Sequence, residues 1–245
     1  MNGVCLLATL SRFLLVGLCI EAILGEVTIR QRREKLREMA RGNGLSDAYM
    51  ATLDRLKAPK GGKSELGMKA LMWVLYSERP LRANELCHAL GVKMGSTDLD
   101  PENIPEVQTL VSSCVGLVTV ESSSSIVRLV HFTLKEHLSS DPALFHSSHS
   151  AIAEVCLTYL NFRSVRNISP TLDSAPSTMP FLEYASFYAG VHTTRGMTEN
   201  VKLLGLRFLE AFHEHISVRL VGLSENQGRV YAPILMLGEG LQDFQ

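Results

Sequence analysis

The sequence predicts a mainly α-helical protein with one small β-hairpin. It reads as a helical region over residues 1–58, a compact domain over 62–140 and a second helical region over 145–245. Three observations carry that prediction. Apolar residues recur at helical spacing in several separate stretches. Two short β-branched runs, "LVTVE" and "IVRLVHF", flank a polar "SSSS" turn. Gly-, Pro- and Ser-rich segments punctuate the chain between these elements.

The first region opens on "MNGVCLLATLSRFLLVGLCIEAILGE", apolar enough to suggest a signal peptide or a membrane span. Arg12 and Glu21 interrupt it, so no uncharged run approaches the ~20 residues a span requires. The first eleven residues carry no basic side chain, and "FLLVGLCI" runs straight into Glu21, unlike a cleavable leader. Residues 4–24 are therefore expected to form a buried helix. "TIRQRREKLREMAR", Thr28 to Arg41, mixes both charge signs at i,i+4 spacing and reads as the wet face of a surface helix rather than a basic nucleic-acid arm. A Gly/Asn break follows, with Ser46 or Asp47 available as a helix cap, then a short helix from Ala48 to Leu56.

"KAPKGGKSE", Lys57 to Glu65, reads as a linker. Gly62-Lys63-Ser64 matches the tail of a phosphate-binding loop, but Lys57 stands where the first glycine belongs. Such a loop needs a strand to deliver backbone N–H groups to the phosphates ahead of a helix, and the preceding segment is helical in pattern.

In the middle domain "ELGMKALMWVLYSE" presents a broad apolar helical surface and ends before Pro80. Arg79-Pro80-Leu81 sets a corner, and Leu81 to Leu90 forms the second helix, with Gly91 expected as its left-handed C-terminal glycine. Asp100 is a candidate N-cap ahead of Pro101, and a third helix is expected from Glu102 to Cys114. Gly116 ends it, the hairpin follows, and "TLKEHLSSD" restarts helix. Three helices followed by a two-stranded hairpin is the order of a winged helix. The last region supplies further helices at "HSAIAEVCLTYLNF", "FLEYASFYAGVH" and "ENVKLLGLRFLEAFHEHI", and a Gly-punctuated end from Ser224.

"ALMWVLYSERPLRANELCHAL", "CVGLVTVE" and "VRLVHFTLKEHL", in that order, resemble the winged-helix domain of fungal NACHT-type (STAND) signalling ATPases, the type named for its similarity to GPI inositol-deacylase proteins. "RFLLVGLCIEAIL" resembles the helix that closes the NACHT module. "PFLEYASFYAGVH" resembles the "YA…W..H" helix that follows the winged helix, with Ala189 in place of the usual aromatic. The resemblance implies a regulatory, non-catalytic module of a cytoplasmic signal-transduction ATPase, with an ATP-binding core before it and ankyrin or similar repeats after it. The phosphate loop and the Mg²⁺-binding acidic strand would lie upstream of Met1, so the chain looks like an amino-truncated product or a fragment. Its implied partners are proteins: the NACHT core, a repeat array, and further copies of itself through the apolar first helix. The resemblance also places His131, in "LVHFT", where related ATPases use a histidine to contact the phosphates of bound ADP; Phe132 stands where an Asp often follows.

Other functions find less support. The third helix, "PENIPEVQTLVSSC", carries Glu102 and Glu106 and no Lys or Arg, which opposes docking on DNA phosphates. The formal net charge of −1 predicts no bulk attraction to nucleic acid or anionic lipid. Five scattered cysteines, Cys5, Cys19, Cys87, Cys114 and Cys156, form no C-x-x-C pair and suggest buried thiols rather than a disulfide framework or a zinc site. Eight histidines include "HEH" at His213–His215 and "HSSH" at His146–His149, neither completed by a carboxylate-plus-His set in sequence. No G-x-S-x-G elbow is present. No catalytic residue, cofactor or metal is therefore expected, and Asn167-Ile168-Ser169 is a glycosylation sequon without consequence in a cytosolic chain.

Overall fold

A computed structural model describes residues 23–41, 45–58, 61–210 and 212–226, together with Gly17 and Ile20. The expected helix over 4–24 and the cysteines at 5 and 19 otherwise lie outside the described residues, as does the end of the chain beyond Asn226. The described residues form eleven α-helices and one antiparallel hairpin. They divide into two compact units, Met1–Leu75 with Gln108–Phe145, and Tyr76–Val107 with His146–Gln245. The mainly helical class with a single hairpin is the one the sequence predicts.

The first unit begins with α1 (Ile29–Arg41), a charged surface helix whose Arg30–Glu34 ion pair of 3.1 Å lies in solvent. Thr28 starts it reciprocally: Thr28 Oγ1 accepts from the Gln31 N–H, and the Thr28 N–H donates to Gln31 Oε1. α2 (Leu45–Lys57) starts ahead of Ser46 and Asp47, so neither occupies the cap position expected of it. α3 (Gly62–Tyr76) takes in the Gly-Lys-Ser triplet as its first turn, making the linker shorter than expected. Gly67 in α3 is a packing requirement: a Cβ there would stand 2.3 Å from the Ser113 carbonyl oxygen and 3.3 Å from Leu56 Cδ1.

The expected helix over Glu102–Cys114 is two pieces, a 3₁₀ turn Pro101–Asn103 and then α5 (Val107–Ser113). Pro105 separates them, because proline has no N–H to donate and disfavours helix in the residue before it. Val115 and Gly116, at φ 42° and 83°, then turn the chain into β1 (Val118–Val120). β2 (Val127–Leu129) returns with Val118 opposite Leu129 and Val120 opposite Val127. Val118 and Val127 face inward while Thr119 and Arg128 face water, the period-two alternation of a half-buried ribbon. The return strand is shorter than "IVRLVHF" because His131 already caps α6 (Phe132–Ser139). α2 and α6 are tied where the Tyr49 hydroxyl meets Thr133 Oγ1 at 2.9 Å and the Tyr49 ring lies 5.6 Å from His137.

The second unit opens on the corner before α4 (Ala83–Gly91). Glu85, 4% exposed, anchors it. Its carboxylate accepts both terminal nitrogens of Arg79, at 2.8 and 2.7 Å, and reaches back to the Arg82 N–H at 2.8 Å. The Arg79-Pro80-Leu81 run is thereby fixed by a charge-assisted fork and by the reach-back half of a capping box. Gly91 is the last helical residue and has no left-handed φ, contrary to expectation. It is needed for close approach instead, since a Cβ would meet Ile104 Cγ1 at 3.1 Å and Ile104 Cα at 3.2 Å.

α7 (Ser148–Leu160) is the spine of this unit. α9 (Leu182–Arg195) and α10 (Glu199–Leu209) both pack on it, and α11 (Ile216–Asn226) packs on α9. The short α8 (Arg163–Arg166) is held to the loop at Thr97–Asp98, where the Arg163 N–H donates to the Thr97 carbonyl and the Ser164 N–H to Asp98 Oδ1. Gly196 ends α9 so close to α7 that a Cβ would stand 2.3 Å from the Ser150 nitrogen. An aromatic chain runs through the interior: Tyr159 edge-on to Phe181 at 5.2 Å, Phe181 stacked on Tyr184 at 5.5 Å, Tyr184 beside Tyr188 at 4.8 Å.

Cys87, Cys114 and Cys156 are buried and unbridged. Burial pushes the Cys87 thiol up to about 11 and the Cys114 thiol to about 12, so both are inert at neutral pH. No helix among the described residues is long and apolar enough to cross a membrane.

Candidate functional site

A partly buried polar constellation lies in the second unit, along one face of α9. Helical spacing places Tyr184, Tyr188 and His192 at i, i+4 and i+8, so all three side chains leave the same face. His149, in the first turn of α7, meets His192 with the two Nδ1 atoms 2.9 Å apart. His192 Nε2 lies 2.9 Å from the Tyr184 hydroxyl, which also accepts the Glu78 N–H at 3.1 Å. Glu78 sits on the corner ahead of α4, and its carboxylate pairs with Arg195 from the last turn of α9. Arg79 next to it lies over the Tyr184 ring, 5.4 Å from the centroid.

The environment keeps the two imidazoles neutral. His192 is fully buried, and burial first, then His149 and Arg195, lower its pKa to about 3. His149 is lowered in the same way by burial and by Arg195, against a smaller opposing effect of Glu78. Burial raises the Tyr184 phenol, so it is protonated throughout the neutral range. Glu78, His149 and His192 each present a ligand-type atom, and those atoms lie within 4.8 Å of one another. The three residues are separated by about 70 and 43 positions in sequence. No local spacing could have revealed them. The one available sign was the "YA…H" helix, which fixes Tyr184 and His192 on one face.

The histidines singled out by spacing are not brought together. His213 is exposed on a 3₁₀ turn, whereas His215 is buried, accepts the Ser217 N–H on Nδ1 and donates from Nε2 to the Leu160 carbonyl. His146 is exposed and precedes α7, while His149 is inside it. His131 is the N-cap of α6: its Nδ1 accepts the Thr133 N–H at 3.3 Å and lies 2.8 Å from Thr133 Oγ1. Gly62, Lys63 and Ser64 open a helix that another helix precedes, an arrangement without the strand-to-helix turn of a phosphate loop.

The hairpin, the helices on either side of it and the Arg-Pro-Leu corner are the parts that decide the fold type. Residues 53–153 match the family described as GPI inositol-deacylase, winged helix domain. A winged-helix domain is present. No curated protein and no solved structure matches the chain. The matched stretch takes in α3, the corner at Arg79, the hairpin and α6, and it ends within α7 at Ala153, past His149.

Proposed function

We propose that the chain is a non-catalytic regulatory and interaction module of a NACHT-type (STAND) signal-transduction ATPase, acting in the cytoplasm through protein partners. The observation that carries this reading is the winged-helix match over residues 53–153, the domain type that follows the ATP-binding core in such proteins. Two features support it. The Gly-Lys-Ser triplet opens a helix that another helix precedes, and Lys57 stands where the first glycine of a phosphate loop belongs, so the strand-delivered glycine loop that wraps phosphates is not formed there. The "YA…H" helix is built into the unit around Tyr184 and His192.

In this reading the winged helix is a joint between the ATPase core and a repeat array, and no reaction is carried out on the chain itself. His131 would reach a nucleotide phosphate through Nε2, since Nδ1 is engaged with Thr133. The nucleic-acid alternative finds little to work with. α5 contains no Lys or Arg, and Arg128 on the hairpin lies 3.7 Å from Glu121.

The test is binding in trans. A separately produced NACHT core is mixed with the chain in ADP and in ATP, and complex formation is followed by analytical ultracentrifugation. A complex whose affinity depends on the nucleotide is expected, with His131→Ala weakening the ADP-bound form selectively. No complex in either nucleotide, ATP hydrolysis by the chain alone, or tight duplex binding in a low-salt gel shift each overturns the reading.

A further inference from the structure

We propose that Glu78, His149 and His192 form a binding site for a zinc-class divalent cation in the second unit. The geometry comes first. Two imidazole nitrogens from different helices face each other at 2.9 Å, with a carboxylate beside them, and all three ligand-type atoms lie within 4.8 Å. Zinc bound through nitrogens at about 2.0–2.1 Å in tetrahedral geometry holds two of them roughly 3.3 Å apart. The pair therefore needs to open by only about 0.4 Å. The carboxylate closes the third position by turning away from Arg195.

The donor set selects the metal. Two neutral imidazoles and one carboxylate suit zinc and its neighbours, whereas calcium and magnesium require shells made largely of oxygen. Both imidazoles are held neutral by their surroundings, so their lone pairs are available without a protonation penalty. Before binding, the His149 Nδ1–H donates to His192 Nδ1. When the cation enters, that hydrogen moves through solvent to His149 Nε2, so both imidazoles stay neutral, both Nδ1 lone pairs face the metal and no net proton is released. His192 is also oriented as a ligand should be. With Nδ1 turned to the metal, Nε2 carries the hydrogen and donates to the Tyr184 hydroxyl 2.9 Å away, which fixes both tautomer and ring plane. Tyr184 is held in turn by the Glu78 N–H and by the Arg79 guanidinium over its ring. The fourth position is left to water.

Arg195 is the competitor. It pairs with the Glu78 carboxylate that the cation must recruit, and its charge lies near both imidazoles. Binding therefore exchanges one cation for another at Glu78, and removal of Arg195 should strengthen the site.

Zinc chloride is titrated into the full chain by calorimetry, and cobalt chloride is followed by its visible ligand-field bands. One metal per chain is expected, with tetrahedral-type cobalt bands. His149→Ala and Glu78→Gln should each weaken zinc by more than about tenfold, and Tyr184→Phe, a positioning change, by about tenfold. Arg195→Met should tighten binding several-fold, an outcome that a purely structural cluster would not give. Zinc should also raise the unfolding midpoint of the wild type but not of His149→Ala, provided circular dichroism shows that variant folded. If it is not folded, Glu78→Gln and Arg195→Met decide. The proposal is overturned if the wild type fails to bind zinc at millimolar concentration, or if Glu78→Gln and Arg195→Met bind it as the wild type does.

Discussion

Two glycines five residues apart on α3 should respond to the same substitution with opposite sign. At Gly67 a methyl group would stand 2.3 Å from the backbone oxygen of Ser113, and a real Cβ essentially never approaches a heavy atom closer than 3.0 Å. The backbones of α3 and α5 must part by at least about 0.7 Å, because the closest obstacle is the Ser113 backbone and a shift of the Leu56 side chain would not relieve it. Helix propensity favours alanine by about 1 kcal/mol, whereas overpacking of this kind destabilises by about 1–3 kcal/mol. With backbone as the obstacle the upper end applies, and Gly67→Ala should lose about 2 kcal/mol net. Gly62, in the first turn, is exposed, and a methyl group added there would find nothing within 4 Å, so Gly62→Ala should gain a few tenths to about 1 kcal/mol. The single tryptophan, Trp73, is 1% exposed on the same helix and reports its unfolding by fluorescence. With a urea dependence near 2 kcal/mol per molar, the midpoint of Gly67→Ala should fall by roughly 1 M. A midpoint equal to or above that of the wild type refutes the close approach of α3 to α5.

Glu85→Ala should destabilise by about 3–5 kcal/mol in thermal or denaturant unfolding, because it strands the Arg79 guanidinium, only 30% exposed, and the Arg82 N–H. Ser217→Ala should lose about 1–2 kcal/mol by leaving the Ser186 hydroxyl buried without its 2.7 Å partner, and the double variant Ser186→Ala/Ser217→Ala should recover part of that loss in the same assay. His215 is held neutral, chiefly by burial and despite its bond to the Leu160 carbonyl, so its folded pKa lies below the free value near 6.5. The folded state thus binds fewer protons there: the stability it supports is present above that free value and is lost as pH falls below it. His215→Gln should flatten the pH dependence of the urea midpoint between pH 7 and 5.

Much of the fold was legible because local chemistry and tertiary packing agree. The charged periodicity of Thr28–Arg41, the apolar surface before Pro80 and the Ser122–Ser125 turn each sit where the structure needs them. The errors fall where one local signal masked another. Asp100 does cap a turn, through its bond to the Glu102 N–H, but Pro105 stops that turn before it can become the expected helix. Gly91 looked like a left-handed cap, whereas the space taken by Ile104 accounts for it. Ser46 and Asp47 are good caps by composition, yet α2 begins ahead of both.

The candidate site was illegible for a different reason. A helix signature survives in sequence because its residues recur every third or fourth position; a site assembled from a corner, a helix start and a helix end has no period. Tyr184 and His192 share α9 and could be paired by spacing, but Glu78 and His149 enter only through tertiary structure. The strongly attractive contacts there do not favour one state alone. Arg195 stabilises Glu78 as an ion pair, and the same pairing opposes use of that carboxylate as a ligand. A purely structural knot would gain from keeping both charges matched and both imidazoles hydrogen-bonded to each other. The response to Arg195→Met separates the cases: loss of stability without any change in zinc affinity marks a knot, and tighter zinc binding marks a site whose occupancy the ion pair holds in check.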